Sequence, residues 1–263
     1  MINSDFEENI FNLIDEDGSL NYGQAYIVKP KTNEKKLPLL VALHGSGREA
    51  LSYRDIPFYA KQRDIAIESG YIFACISNSS HTYGTDKGYE NVLKLYEYIK
   101  KNYKIYKDIA LWSSSAGGLM MHRFFREYRD NIKLLLGTFP LFNPLTTLKL
   151  GSLLKAYGAC NEEEFINIIK DKSPDRYPLD IYRDTRIVIA HGVDDTAVDI
   201  SQSEELLKQV KTYGGDMELI KTAGGHSVEN FALYETESFH KALKDMKMEF
   251  IRAENADKLI VDD

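Results

Sequence analysis

The chain is poor in cysteine, with only Cys75 and Cys160 in 263 residues. Two thiols cannot build the disulfide framework of a small secreted domain. Cys75 lies in an apolar run and Cys160 in a helix-like segment, without metal-ligand spacing, so both are expected to be reduced. Positive charge is also short: 33 Lys and Arg stand against 40 Asp and Glu, a formal net charge of -7. That balance argues against a nucleic-acid groove. No apolar stretch approaches the roughly 20 residues that cross a bilayer. Residues 1–8 are acidic and lack the apolar segment of a leader peptide. These absences predict a cytoplasmic protein that meets neither nucleic acid nor membrane. Internal repeats and low-complexity linkers are missing too, so residues 1–263 read as a single domain.

What the chain does have is alternation. Residues 5–29 alternate loosely around the turn-like Asp15-Glu-Asp-Gly-Ser19, predicting two antiparallel edge strands, the second near Gly23–Lys29. Leu37–Leu43, Tyr71–Ser77, Ile109–Trp112, Ile132–Phe139, Asp184–Ala190 and Met217–Thr222 are largely apolar runs of strand length. Helix patterns lie between them. One runs Phe58–Ser69, closed by Gly70. A second is capped by Thr85 or Asp86 and has Tyr89, Val92, Leu93, Tyr96 and Ile99 on one face. A third follows Trp112 and carries Leu119, Met120, Met121, Phe124 and Phe125. A fourth starts at the capping box Ser201-x-x-Glu204 and ends near Tyr213, before Gly214-Gly215. The last is expected over Asn230–Phe250.

Strands alternating with helices imply parallel crossovers, hence an α/β fold with a mostly parallel central sheet and helices on both faces. Pro140–Arg183 interrupts the alternation and reads as a small cap insertion around 140–183, with a helix-like Glu162–Ile169. The tail, Ala253–Asp263, follows no pattern that places it.

The chemistry gathers around Asp108–Gly118: an apolar strand, three serines, two glycines, then a helix. A very sharp strand-to-helix turn can hold a serine as a nucleophile if the residues two before and two after it are small. Ser115 meets that demand, with Ser113 and Gly117 as those neighbours. Ser114 and Ser113 would have Trp112 and Leu111 at minus two. In a parallel sheet the loops after Leu43, Trp112, Ala190 and Thr222 should face one crevice.

A serine needs a base, and the base needs an orienting acid. Among six histidines, His226 sits in a Gly-rich loop after a late strand; His240, on a helix beside Phe239, reads as structural. Asp194 and Asp195 compete for the acid, while Asp199 reads as the first turn of the next helix. An oxyanion needs N–H donors. Ala116, at the head of the helix after Ser115, is one candidate. The loop His44-Gly-Ser-Gly47 offers the other, Ser46 before Gly45. Tyr53, Phe58, Tyr59, Tyr83 and Tyr157 fall in segments flanking the crevice, although Phe58 and Tyr59 suit core packing.

Four segments, His44-Gly-Ser-Gly47, Ser113-Ser-Ser-Ala-Gly-Gly118, His191-Gly-Val-Asp-Asp-Thr-Ala-Val198 and Gly224-Gly-His226, make the chain resemble an α/β-hydrolase over roughly residues 20–250. The order Ser, Asp, His is that of the fold. The chain is most similar to the prolyl-oligopeptidase-like and dienelactone-hydrolase-like group. That group carries Ser-Pro before the acid strand, as at Ser173-Pro174, and an acid loop that lays its aspartate on Asp195 with Val198 as the packing residue. Two positions depart from the pattern: Ser113 replaces the usual glycine at nucleophile minus two, and Asp199 replaces the usual proline after the acid-loop valine.

The resemblance implies a serine hydrolase with triad Ser115, Asp195 and His226 and oxyanion donors Ser46 and Ala116. It would need no metal and no organic cofactor and would act on a small-molecule carboxylic ester. A short acyl group is expected, because Pro140–Arg183 is too charged for a lipase lid. A homo-oligomer is compatible with the sequence. Two rivals stand beside this reading. One is a peptidase or amidase of the same fold, disfavoured because no propeller-like repeat is present. The other is a non-catalytic binding protein, disfavoured because all three triad residues are.

Overall fold

The computed structural model describes residues 6–147, 150–178, 180–226 and 234–261, without the side chains of 234–236 and 257–261. The strands are β1 Phe6–Ile14, β2 Asn21–Pro30, β3 Leu37–Leu43, β4 Ile72–Ile76, β5 Ile105–Ser114, β6 Ile132–Thr138, β7 Arg186–Gly192 and β8 Asp216–Thr222. The helices are α1 Ser52–Asp55, α2 Pro57–Glu68, α3 Asp86–Asn102, α4 Gly117–Tyr128, α5 Leu150–Tyr157, α6 Glu162–Ile169, α7 Ser201–Thr212 and α8 Tyr234–Val261. The strands form one sheet in the order β1-β2-β4-β3-β5-β6-β7-β8. Pairing is antiparallel from β1 to β2 and from β2 to β4, and parallel across the rest.

The central strands are apolar along their whole length because both faces are covered. Leu39, Val41, Leu43, Ile109, Leu111 and Leu135 form one face, packed with Val92 and Leu95 of α3, Met121 and Phe124 of α4 and Leu206 of α7. Leu40, Ala42, Ala110, Trp112, Leu136 and Val188 form the other, packed with Ile65 of α2 and Phe239, Leu243 and Met246 of α8. Buried Trp112 satisfies its one donor by giving Nε1–H to Thr138 Oγ1 at 3.1 Å. In register, Leu43 and Gly137 flank Ser113, and Ala190 lies opposite Thr138. The carboxyl ends of β3, β5, β6 and β7 are therefore level, and the loops after them open at one edge of the sheet.

Several local expectations need correction. Ser201 and Glu204 do not form a capping box. The Ser201 N–H is taken by Asp199 Oδ1 at 2.8 Å, while Glu204 leans away to Lys221 of β8 at 2.5 Å. The helix begins one residue too early for the box: Ile200 is its N-cap and Ser201 its first helical residue. The expected strand Ile109–Trp112 runs longer, Ile105–Ser114. The final helix continues past Phe250 to Val261, taking in residues 253–261 of the unplaced tail; its expected start at Asn230 lies outside the described residues. Cys160 is exposed in the turn between α5 and α6, not in a helix, and Cys75 is buried.

Between β6 and β7 the insertion contributes α5 and α6. Leu153, Phe165 and Ile169 join Tyr83, Ala116, Leu119 and Leu141 in a separate apolar cluster. Asp86 ties this region to α4 by accepting from Arg123 at 2.6 Å and Lys172 at 2.7 Å. Among the described residues, no helix is long and apolar enough to cross a membrane.

Candidate active site

The turn after β5 holds Ser115 at φ +51°, in the left-handed region that side chains rarely occupy. Such a residue costs about 1–3 kcal/mol and persists only where its surroundings impose it. Here they do. Ser115 N–H donates to Thr138 O at 3.1 Å, and Ser115 O accepts from Gly118 N–H at 2.9 Å and Leu141 N–H at 2.8 Å. A Cβ on Gly117 would strike the carbonyls of Leu43 and His44, and one on Gly118 would lie 2.5 Å from the carbonyl of Leu141. Glycine is what lets the head of α4 lie against β3. The neighbouring serines face elsewhere. Ser114 Oγ accepts from Gln62 of α2 at 3.1 Å in the core. Ser113 Oγ is buried and has no hydrogen-bond partner among the described residues.

His226 Nε2 lies 3.0 Å from Ser115 Oγ, and its Nδ1 lies 2.7 Å from Asp195 Oδ2. An ionised carboxylate only accepts, so Nδ1 carries the proton and Nε2 presents a lone pair to the serine hydroxyl. Asp195 is 4% exposed. Its Oδ1 accepts from the N–H groups of Ala197 and Val198, each at 2.9 Å, and its Oδ2 lies 3.5 Å from His191 Nε2. Burial pushes this carboxyl up. The bonds from His191, His226 and the Val198 backbone outweigh it and hold Asp195 well below the usual carboxylate range. His191 is itself fixed: Nε2–H donates to Val198 O at 2.8 Å and Nδ1 meets Ser203 Oγ at 2.7 Å. Asp194 is exposed. Its backbone N–H donates to Gly224 O at 3.0 Å, and Val193 N–H donates to Thr222 O at 2.9 Å. The acid loop is thereby stitched to the loop that carries His226.

The loop after β3 closes the other side. A Cβ on Gly45 would sit 3.3 Å from Ser115 Cβ and 3.1 Å from Tyr59 Oη, so the loop touches the serine. Among the described residues no backbone hydrogen bond takes up the N–H of Ser46 or of Ala116. Buried His44 holds the loop. Its Nδ1–H donates to Gly45 O at 2.9 Å, and its Nε2 accepts from Asn78 N–H at 3.0 Å. Burial lowers the His44 imidazole below its ordinary range, with the Gly45 carbonyl opposing that shift, which keeps Nε2 an acceptor. Burial likewise lifts the Tyr59 hydroxyl, against the Arg48 charge and the Gly45 N–H.

The structure thus brings Ser115, His226 and Asp195 into one hydrogen-bonded chain and places Ser46 and Ala116 on the loops beside it. His240 is elsewhere, braced between α8 and α2 by Glu68 at 3.1 Å. Phe58 and Tyr59 are buried in the sheet-face core, and Tyr157 donates its hydroxyl to Tyr83 O at 3.0 Å. Sequence reasoning missed the supports. His191 was visible as the first residue of the acid-loop segment, with no role assigned to its side chain. Gln62 carried a signal, a polar residue on the stripe Phe58–Gln62–Ala66. Phe139 carried none: it follows β6 at φ +40°, and its ring lies 4.2 Å from that of His226.

No family model matches the sequence, and no curated protein matches it. Solved structures do match in fold. An S-formylglutathione hydrolase from Agrobacterium tumefaciens superposes with TM-score 0.74 at 15% identity, over 94% of this chain and 98% of that one. A truncated carbohydrate esterase from gut microbiota gives 0.72 at 16%, over 92% and 99%. Oligopeptidase B from Leishmania major gives 0.68 at 15%, over 94% of this chain but 37% of the peptidase. The chain spans just over a third of that peptidase and nearly all of the two esterase-sized proteins. Parallel sheet, strand order and these neighbours agree: the chain has the α/β-hydrolase fold.

Proposed function

We propose that the protein is a serine hydrolase that cleaves short-acyl carboxylic esters. The observation that carries this reading is the chain Ser115 Oγ–His226–Asp195, with links of 3.0 and 2.7 Å, at a serine held in left-handed backbone. His226 Nε2 takes the hydroxyl proton as Oγ attacks the ester carbonyl. The negative charge that develops on the carbonyl oxygen is received by the N–H groups of Ser46 and Ala116. His226 then returns the proton to the departing alcohol. Water attacks the resulting acyl-enzyme by the same route, releasing the acid and restoring Ser115. Ionised Asp195 keeps the imidazole in the required tautomer and offsets its charge when it is protonated.

The preference for short acyl groups rests on the insertion. Glu162, Glu163, Glu164, Lys170 and Asp171 are exposed there, while Phe165 and Ile169 are turned inward. A face of that composition suits a water-soluble substrate better than a lipid interface. Esterases of nearly the same length among the similar folds support the ester reading over the peptidase one. The test is a panel of p-nitrophenyl esters from two to sixteen carbons with a dipeptide anilide beside it, run on the natural protein and on Ser115→Ala. The expected result is a rate maximum at two to four carbons that Ser115→Ala loses by roughly 10⁴-fold. A maximum at twelve carbons or more, or anilide turnover rivalling the acetate, would move the function to lipase or peptidase.

A further inference from the structure

Phe139 has no part in the chemistry above, yet the chain holds it in a conformation suited to glycine. Its φ is +40°. The backbone alone explains why the position is bent. Phe139 N–H donates to Ala190 O at 2.8 Å, which pins it to β7. On either side Thr138 O and Leu141 N–H are both committed to Ser115, at 3.1 and 2.8 Å. Those bonds force a sharp exit from β6, and glycine would make it without strain. A phenylalanine there needs another reason, and the ring supplies it. The ring lies against the His226 imidazole in a tilted contact, centroids 4.2 Å apart and planes at 49°. The ring also stacks on Phe58 of α2 at 5.9 Å and 12°. Phe139 is 3% exposed, so the ring is wedged between imidazole and helix.

The two hydrogen bonds of His226 fix its plane only loosely. Both nitrogens are anchored, to Ser115 and Asp195, but a hydrogen bond tolerates misalignment of roughly 30° before it weakens steeply, so these bonds leave the ring some tip about the line that joins them. A rigid aromatic ring against the imidazole narrows that range. We propose that Phe139 is a positioning residue that holds the plane of His226, with Phe58 as its backing. The proposal rests on the ester-hydrolase reading for its kinetic consequence but not for its structural one. A base that tips carries its lone pair away from Ser115 and, in the next step, its proton away from the leaving alcohol, so the loss falls on the chemical step.

The test uses three variants. Phe139→Leu keeps an apolar side chain without the flat face, Phe139→Tyr keeps the face, and Phe58→Leu withdraws only the backing ring. Phe139→Leu is expected to lower kcat about 10- to 100-fold with KM within about twofold of the natural value. Phe139→Tyr should retain at least about half of kcat, and Phe58→Leu should lose several-fold. A second readout needs no substrate. The His226 Nδ1 proton shared with Asp195, identified in proton NMR by its disappearance in His226→Ala, should broaden in Phe139→Leu and stay sharp in Phe139→Tyr. Either a kcat for Phe139→Leu within twofold of the natural protein, or a resonance as narrow as in the natural protein, overturns the proposal. If Phe139→Leu does not fold, the same two thresholds apply to Phe58→Leu. Should the natural protein fail to hydrolyse any ester, the hydrolase reading falls, and the resonance still decides the role of Phe139.

Discussion

The turn around Ser115 and the insertion between β6 and β7 meet in one apolar cluster, yet their glycines live in opposite surroundings. At Gly117 and Gly118 a methyl group would collide with backbone of β3 and of the segment after β6, whereas at Gly151 and Gly158 it would meet nothing within 4 Å. Backbone has no rotamer with which to yield, so the turn has essentially one packing. The insertion is held by side chains, among them Phe165, Ile169 and the Asp86–Lys172 pair, which adjust. The lesson is where precision resides: the turn is specified by absence of side chain, the insertion by presence of side chains.

Four tests sharpen or break that contrast, the largest effect first. Asp195→Asn keeps the shape of the acid loop but offers His226 Nδ1 an amide in place of a carboxylate. A loss of roughly 10³- to 10⁴-fold in kcat is expected, against less than about threefold for exposed Asp194→Asn, since surface changes away from such a network are usually near neutral. Steady-state kinetics on the acetate ester measures both, and equal losses would mean that the acid loop is misread by one residue.

Gly117→Ala comes next. The added methyl must displace the end of β3, and a destabilisation of about 3 kcal/mol or more is expected in a denaturant titration. A loss below about 1 kcal/mol would show that the turn yields where backbone contact says it cannot.

His122 marks the border of the two regions. It belongs to α4 beneath the turn, and Tyr182, near the end of the insertion, meets its Nδ1 at 2.9 Å. Burial pushes this histidine down to about 3. Its folded value lies below the ordinary ~6.5 of the unfolded chain. Between those values the unfolded state binds the extra proton, so stability falls as the pH drops from about 6.5 toward 3. His122→Gln keeps an acceptor for Tyr182 and removes the titration. The slope of unfolding free energy against pH should lessen by about 1.4 kcal/mol per pH unit within that window. An unchanged slope would mean that His122 titrates normally.

The smallest effect is expected at Gly151. It lies within α5 with open space around its Cα, so Gly151→Ala should raise stability by about 0.5–1 kcal/mol and leave ester turnover unchanged. Destabilisation there would break the contrast between the regions from the other side.

The same contrast explains what could be read from the sequence. Ser115 was legible over Ser113 and Ser114 because a sharp turn tolerates only small residues at minus two and plus two, a demand written within five residues. The central strands were legible as apolar runs that both faces of a parallel sheet require. In the insertion, Glu162–Ile169 was readable as a helix, but α5 was not. Gly151 in its first turn and Gly158 just after it blur the pattern. The capping box at Ser201 failed because the helix starts one residue earlier, with Ile200 as its N-cap and Asp199 Oδ1 holding the Ser201 N–H. Phe139 and His191 were illegible for another reason. Their partners, His226 and Asp195, are reached across the sheet or through a loop closure, and neither residue departs from what a strand end ordinarily contains. Contacts made by folding leave little trace in local pattern, even when they brace the residues that local pattern picks out.

The most direct measurement is covalent labelling. A fluorophosphonate should react with the folded protein, and peptide mass spectrometry should place the adduct on Ser115, the serine whose hydroxyl faces His226 at 3.0 Å. Labelling should vanish in Ser115→Ala and persist in Ser114→Ala, where the lost hydroxyl merely accepts from Gln62. An adduct on Ser114, or a folded protein that takes up no label, would contradict the account.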